Sequence, residues 1–136
     1  MQDKAFLDTN ILIYLYAEDD KNKRDVVREV LDDYDCVTSL QAINEVSNVL
    51  FKKFSLSSAQ IKEHLVNIEA VCSDVMPIHR YTIEEALDIR ERYGFSYFDC
   101  LMLASALEGT CRIIFTEDMR DGQIIEKTLT ITNPFK

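Results

Sequence analysis

Short apolar runs alternate with longer stretches of helical periodicity along the whole chain, and this alternation leaves few folds open. A strand is predicted over Lys4–Leu7, ending at Asp8, with helical periodicity from about Asn10. A charged helix is predicted over Asn22–Asp33 and a strand over Cys36–Thr38. Ser39 is placed to cap a helix from Leu40 to about Phe54. Ser57 or Ser58 caps another helix reaching about Cys72. Val75–Ile78 reads as a strand, and Pro77 within it marks an edge. Helices over about Thr82–Tyr93 and Ser96–Glu108, a strand over Arg112–Phe115 and a last strand over Leu129–Thr132 complete the pattern. Strands that alternate with helices pair in parallel and bury both faces of their sheet. The expected fold is therefore α/β, a three-layer α/β/α sandwich with a mostly parallel central sheet. Its 136 residues suit a single domain over residues 1–136.

Such a sheet also says where a site belongs. Ligands of open α/β sheets bind beyond the carboxyl ends of the strands, where the strand order reverses. Asp8 directly follows Ala5-Phe6-Leu7, and Asp118 follows Ile113-Ile114-Phe115-Thr116. Both strands are short, apolar and free of proline, as central strands are.

Acidity alone means little in a chain with 24 Asp and Glu residues. Context separates a few of them. Most lie in charged stretches such as Glu18-Asp19-Asp20-Lys21, where a solvated face is the default. Asp8 lies between two apolar runs, and Asp99 sits in Phe95-Ser96-Tyr97-Phe98-Asp99-Cys100-Leu101-Met102, a helix apolar on nearly every side. Burying an ionised carboxylate without a partner is costly, so such acids are paired, hydrogen-bonded or metal-bound. No arginine or lysine in these segments is at hand to pair with them.

Each acid also has a simpler reading. Asp8 or Asn10 can cap the first helix, and Asp99, three residues after Ser96, can complete a capping box. Glu45 lies off the stripe of Ile43, Val46 and Leu50, as a solvated glutamate would. Asp118 can be a turn residue in Thr116-Glu117-Asp118-Met119-Arg120-Asp121-Gly122. These readings weaken when the acids are taken together, because three separate strand–helix junctions carry acids to one end of one sheet. A carboxylate cluster there suits Mg²⁺, which prefers oxygen ligands. No serine or cysteine nucleophile with a base is evident, so hydrolysis by metal-activated water is the economical chemistry.

The net charge of −9 argues against a broad basic surface for gripping phosphates. It suits a basic protein partner or a site rich in carboxylates. Cys36, Cys72, Cys100 and Cys111 form no C-x-x-C pair, and His64 and His79 are isolated, so the thiols are expected to be reduced core residues. The first apolar run, Ile11–Ala17, is too short to span a bilayer. Asp3 and Asp8 before it make it a poor signal peptide. The expectation is a chain intact from Met1, cytoplasmic and without membrane contact.

Four blocks of sequence, in order and spread over essentially the whole chain, carry a family resemblance. They are Phe6-Leu7-Asp8-Thr9-Asn10-Ile11-Leu12-Ile13, Thr38–Val46, Phe95–Ala106 and Ile113–Gln123. Together they resemble the PIN domain, and within it the VapC-like toxin ribonucleases of prokaryotic toxin–antitoxin pairs. The resemblance implies an α/β/α sandwich, Mg²⁺ or Mn²⁺, and endonucleolytic cleavage of RNA. It implies Asp8, Glu45, Asp99 and Asp118 as the catalytic, metal-binding acids. Asn10 and Thr116 match supporting polar positions, and Asp121 is a fifth acid in a less constrained loop. It further implies a homodimer and a cognate antitoxin protein that occupies the site.

Other readings fare less well. A receiver-like phosphoacceptor domain would want a lysine ending a late strand, and a haloacid-dehalogenase-like phosphatase would want D-x-D where Asn10 stands. The remaining alternative is a non-catalytic PIN-fold module that docks RNA or a protein. Candidate phosphate contacts are Lys21, Lys23, Arg24, Lys52, Lys53, Arg90 and Arg92, and candidate base-stacking aromatics are Tyr14, Tyr16, Phe95 and Tyr97. Solvated helix faces and core packing explain most of these equally well.

Overall fold

The computed structural model describes residues 2–16 and 20–136; Ala17, which ends the first apolar run, and Glu18 and Asp19 after it lie outside the described residues. The strands are β1 (Lys4–Leu7), β2 (Asp35–Ser39), β3 (Asp74–Met76), β4 (Ile113–Phe115), β5 (Ile124–Ile125) and β6 (Leu129–Thr132). The helices are α1 (Thr9–Tyr14), α2 (Lys21–Asp33), α3 (Leu40–Lys52), α4 (Ser58–Val71), α5 (Arg80–Tyr93) and α6 (Tyr97–Glu108). One sheet runs in the order β3-β2-β1-β4-β6-β5. Its pairings are parallel except that of β5 with β6.

The topology explains the layers. From β1 through β2 to β3 the chain steps outward in one direction. It then returns across the sheet so that β4 lies on the other side of β1. Right-handed crossovers in opposite directions put their helices on opposite faces. Accordingly α1 packs with α2 and α3, and α3 with α4, while α5 and α6 pack against each other. The strand order reverses between β1 and β4, the two central strands, as expected of both.

Local signals set most boundaries. Ser39 caps α3 by accepting the Ala42 N–H at 3.1 Å. Ser57 and Gln60 form a complete capping box at α4. β3 is an edge strand that stops before Pro77, whose missing N–H cannot continue a ladder. Gly94, at φ +80°, ends α5 in the left-handed conformation and turns the chain into α6. Helix α6 is buried from Cys100 through Ala106, and the core gathers around it with Phe6, Leu7, Ile11, Leu12, Leu50, Ile114 and Leu129.

One element was not anticipated. β5 is two residues long and joins β6 through a tight turn in which Thr128 N–H donates to the Ile125 carbonyl at 3.2 Å. The central residues of that turn, Glu126 and Lys127, both have positive φ. A turn of this kind is usually announced by Asn-Gly or Asp-Gly, and Glu-Lys hides it.

All four cysteines are free and buried. Burial pushes the Cys36 and Cys72 thiols up to about 12 and that of Cys111 up to about 11. Among the described residues no helix is long and apolar enough to cross a membrane.

Candidate metal centre

Asp8 occupies the first position beyond β1, between the two central strands' carboxyl ends. Its backbone is tied to β4 by a hydrogen bond from its N–H to the Phe115 carbonyl at 3.1 Å. The side chain is 4% exposed. Its Oδ1 accepts the Thr9 N–H at 2.7 Å, so Asp8 does cap α1, the simpler reading of this residue. Its Oδ2 accepts the Thr116 hydroxyl, also at 2.7 Å. Burial pushes its pKa up to about 6; the two hydrogen bonds oppose that rise, while the charges of Asp99 and Asp118 add to it.

Asp118 lies three residues past β4. The Thr116 hydroxyl accepts its N–H at 3.2 Å, and the Asn10 amide donates to its Oδ2 at 2.7 Å. Partial burial raises its pKa first, then repulsion from Asp99 and Glu117. Thr116 therefore ties the two acids at the strand ends together, and Asn10 holds the second from across the α1 turn.

Glu45 and Asp99 come from helices on opposite faces of the sheet. Glu45 is half-buried on α3, and Gln41 Nε2, one turn earlier, donates to its Oε2 at 3.3 Å. Its pKa is raised chiefly by burial, with Asp99 and Asp118 adding to the rise. Asp99 sits in the first turn of α6. Ser96 Oγ accepts its N–H at 3.4 Å, but the reciprocal half of a capping box does not form, which leaves the carboxylate uncommitted.

The four acids thus lie within one another's electrostatic reach. Asp99 acts on Asp8, Glu45 and Asp118, and Asp118 acts on Asp8 and Glu45. Among the described residues the ion pairs are Lys23–Glu117, Arg92–Glu126 and Arg112–Asp3, so none offsets the cluster. The Thr9 hydroxyl is buried and faces Glu45, whose pKa it lowers as a hydrogen-bonding neighbour. No three acidic, histidine or cysteine side chains among the described residues close into a ready-made cage.

Asp121 is not drawn into this cluster. Its Oδ1 accepts the Asn133 N–H at 2.8 Å and pins the loop after β4 to the chain beyond β6. Several candidate phosphate contacts are likewise committed elsewhere. Lys23 pairs with Glu117 at 2.6 Å and also donates to the Tyr14 hydroxyl at 3.0 Å. Arg92 pairs with Glu126, and Arg90 donates to the Phe95 carbonyl at 2.5 Å.

Three residues escaped sequence reasoning. Glu117 is held by Lys23 and by the Tyr14 hydroxyl at 2.5 Å, directly beside Asp118. No local pattern announces it, because its cationic partner lies far away in sequence. Thr9 has no role assigned from sequence, because the caps of the first helix are sought at Asp8 and Asn10. Phe98 is 56% exposed, whereas the neighbouring Tyr97 and Phe95 are half-buried. Its place beside Asp99 was the only available hint.

Known structures share this architecture. The chain is similar to a toxin–antitoxin complex component from Klebsiella pneumoniae, at 22% identity over 96% of this chain and 97% of that one, with a TM-score of 0.71. It is similar to VapC20 from Mycobacterium tuberculosis, a sarcin-ricin loop cleaving toxin, at 15% identity, coverage of 84% and 89%, and a TM-score of 0.67. It is also similar to a chain of VapBC2 from Rickettsia felis bound to a promoter DNA fragment, at 14% identity, coverage of 96% and 99%, and a TM-score of 0.68. A comparison with curated proteins finds no match. At these identities the likeness is one of fold. The sequence itself matches the family model of the PIN domain over residues 5–124, and the chain belongs to the PIN domain family.

Proposed function

We propose that this chain is a divalent-metal-dependent endoribonuclease, the toxin of a toxin–antitoxin pair, acting through Asp8, Glu45, Asp99 and Asp118. The observation that carries the reading is the placing of carboxylates at the switch point of the sheet, where Thr116 joins Asp8 to the Asp118 backbone and Asn10 holds the Asp118 side chain, with no ion pair among the described residues to offset them. Holding Asp8 in an apolar surround is costly to the fold. A non-catalytic docking module would shed that cost by replacing the acid, and no feature of the site favours that alternative.

The donor set fits a hard divalent cation such as Mg²⁺ or Mn²⁺, because it offers carboxylate oxygens and no thiolate or imidazole. When bound, such an ion supplies Lewis-acid stabilisation of the phosphodiester and a more acidic water. The chain's own residues do the positioning. Thr116 fixes Asp8 and Asp118 relative to each other, Asn10 orients Asp118, and Gln41 orients Glu45. Above about pH 6 Asp8 is ionised and available to a cation.

Similar folds occur in toxin–antitoxin complexes, which supports a cognate antitoxin as partner; a homodimer as working form is part of the same proposal. A net charge of −9 favours an antitoxin that brings arginine or lysine to the carboxylates. Free, buried thiols suit a cytoplasmic setting.

The test is cleavage of an unstructured RNA by purified protein. Activity is expected with Mg²⁺ or Mn²⁺, with loss in EDTA and in Asp99→Asn. Equal cleavage by wild type in excess EDTA, with Asp99→Asn equally active, overturns the reading.

A further inference from the structure

Beside the acidic cluster, α3 and the start of α6 enclose an open groove of about 370 Å³. Gln41, Asn44, Glu45, Asn48 and Phe98 line it. The four α3 residues are spaced i, i+3, i+4 and i+7, so they form one face of the helix. Asn44 and Asn48 are exposed, and Gln41 is half-buried. Phe98 presents an aromatic ring to solvent at 56% exposure, and Tyr97 packs against it edge-on at 5.5 Å between centroids. Glu45 belongs to both the groove and the acidic cluster, and Phe98 precedes Asp99 in sequence.

We propose that this groove is a nucleobase subsite, which seats one unstacked base of a single-stranded RNA on Phe98 and reads its edge with Gln41, Asn44 and Asn48. The inference rests on the nuclease reading and adds the chemical class of what lies beside the cleaved bond.

The lining chooses the occupant. Its charged group is the Glu45 carboxylate, with no lysine or arginine, so a phosphate is repelled and a neutral ring is admitted. Each carboxamide offers both donors and an acceptor, which is what the edges of bases require. Gln41 spends one donor on Glu45 and keeps its carbonyl oxygen. An exposed aromatic ring stacks any base, while the amides discriminate among them. An apolar protein side chain would leave those amides unsatisfied and gain little from them. The groove adjoins Glu45, so a base seated there places its own phosphodiester next to the carboxylates.

The probe is a set of short single-stranded RNAs with 2-aminopurine at successive positions, bound in Ca²⁺ and cleaved separately in Mn²⁺. Phe98→Ala is expected to weaken binding on the order of tenfold and to abolish stacking-induced quenching at one position. Phe98→Tyr, which keeps the ring, restores both. Asn44→Ala and Asn48→Ala are expected to change the ratio of kcat/KM among the four bases at that same position. Melting curves confirm that each variant is folded.

Cleavage with unchanged affinity and base preference in Phe98→Ala overturns the subsite and leaves the nuclease reading standing. Phe98-dependent quenching without cleavage supports the subsite and overturns the nuclease reading. No RNA binding by wild type overturns the subsite. Loss of self-association or of antitoxin binding in Phe98→Ala, with RNA binding intact, makes the groove a protein interface and overturns it too.

Discussion

The Thr116 hydroxyl donates to Asp8 Oδ2 at 2.7 Å while accepting the Asp118 N–H at 3.2 Å, so one side chain positions both acids that leave the central strands. Thr116→Val keeps the shape and removes both bonds. It is expected to lower affinity for Mn²⁺ and activity by roughly 10- to 100-fold, as loss of a group that orients a metal ligand does. It also leaves the buried Asp8 oxygen without a partner, a loss of about 1–3 kcal/mol in stability. Metal titration followed by thermal shift, together with urea melts, separates the two effects.

Burial of Asp8, with repulsion from Asp99 and Asp118 added, gives a pH-dependent signature. The Asp8 carboxyl is raised from 3.8 to about 6 in the folded chain. Between those values the folded state holds a proton that the unfolded chain has released, so stability falls as pH rises through this window and levels off above it. Glu45 and Asp118 are shifted in the same direction and add to the fall. In EDTA the protein should therefore be more stable at pH 4.5 than at pH 7 as far as these groups decide it. Asp8→Asn should flatten the dependence. An unchanged pH profile in that variant would refute the assignment.

Asp99 is the better probe of shared charge, because it acts on the other three acids and its own capping role is incomplete. Asp99→Asn in EDTA at pH 7.5 is expected to melt higher than wild type, by on the order of 1 kcal/mol of stability. Millimolar Mg²⁺ should stabilise wild type through binding to the folded state and the variant much less. A lower melting point in EDTA with an identical Mg²⁺ response would mean that these acids share no metal site.

Lys23 contributes through Glu117 rather than through phosphate. The pair is 2.6 Å apart and only partly exposed, and Tyr14 bonds to both partners. A double-mutant cycle of Lys23→Met and Glu117→Gln is expected to show a coupling of about 0.5–1 kcal/mol, weakened by salt. A larger effect of Lys23→Met on RNA affinity than on stability would instead point to direct substrate contact.

Buried thiols should be inert. Cys36, Cys72 and Cys111 are held well above the ordinary thiol pKa by burial, and Cys100 is raised by the same cause. Native protein at pH 8 is expected to react with an aromatic disulfide reagent only at its unfolding rate, and all four thiols should titrate in denaturant.

What the sequence determined by itself was whatever local chemistry encodes. Ser39 and Ser57 mark helix starts through their own side chains, Pro77 ends β3, and the apolar runs of β1 and β4 place both at the centre of the sheet. Asp8 and Asp99 stood out because charge within an apolar stretch demands an explanation. Tertiary structure alone decided the rest. Glu45 has the local signature of a solvated glutamate, and only the approach of α3 to α6 gives it acidic neighbours. Helix α6 is apolar all round, so its sequence carries no phase to say that Phe98 faces solvent while Tyr97 is half-buried. Lys23 reads as one cation among several on a charged helix until the fold brings Glu117 to it. The two-residue strand β5 exists because β6 supplies its partner, since so short a segment has too few hydrogen bonds to hold an extended shape unaided.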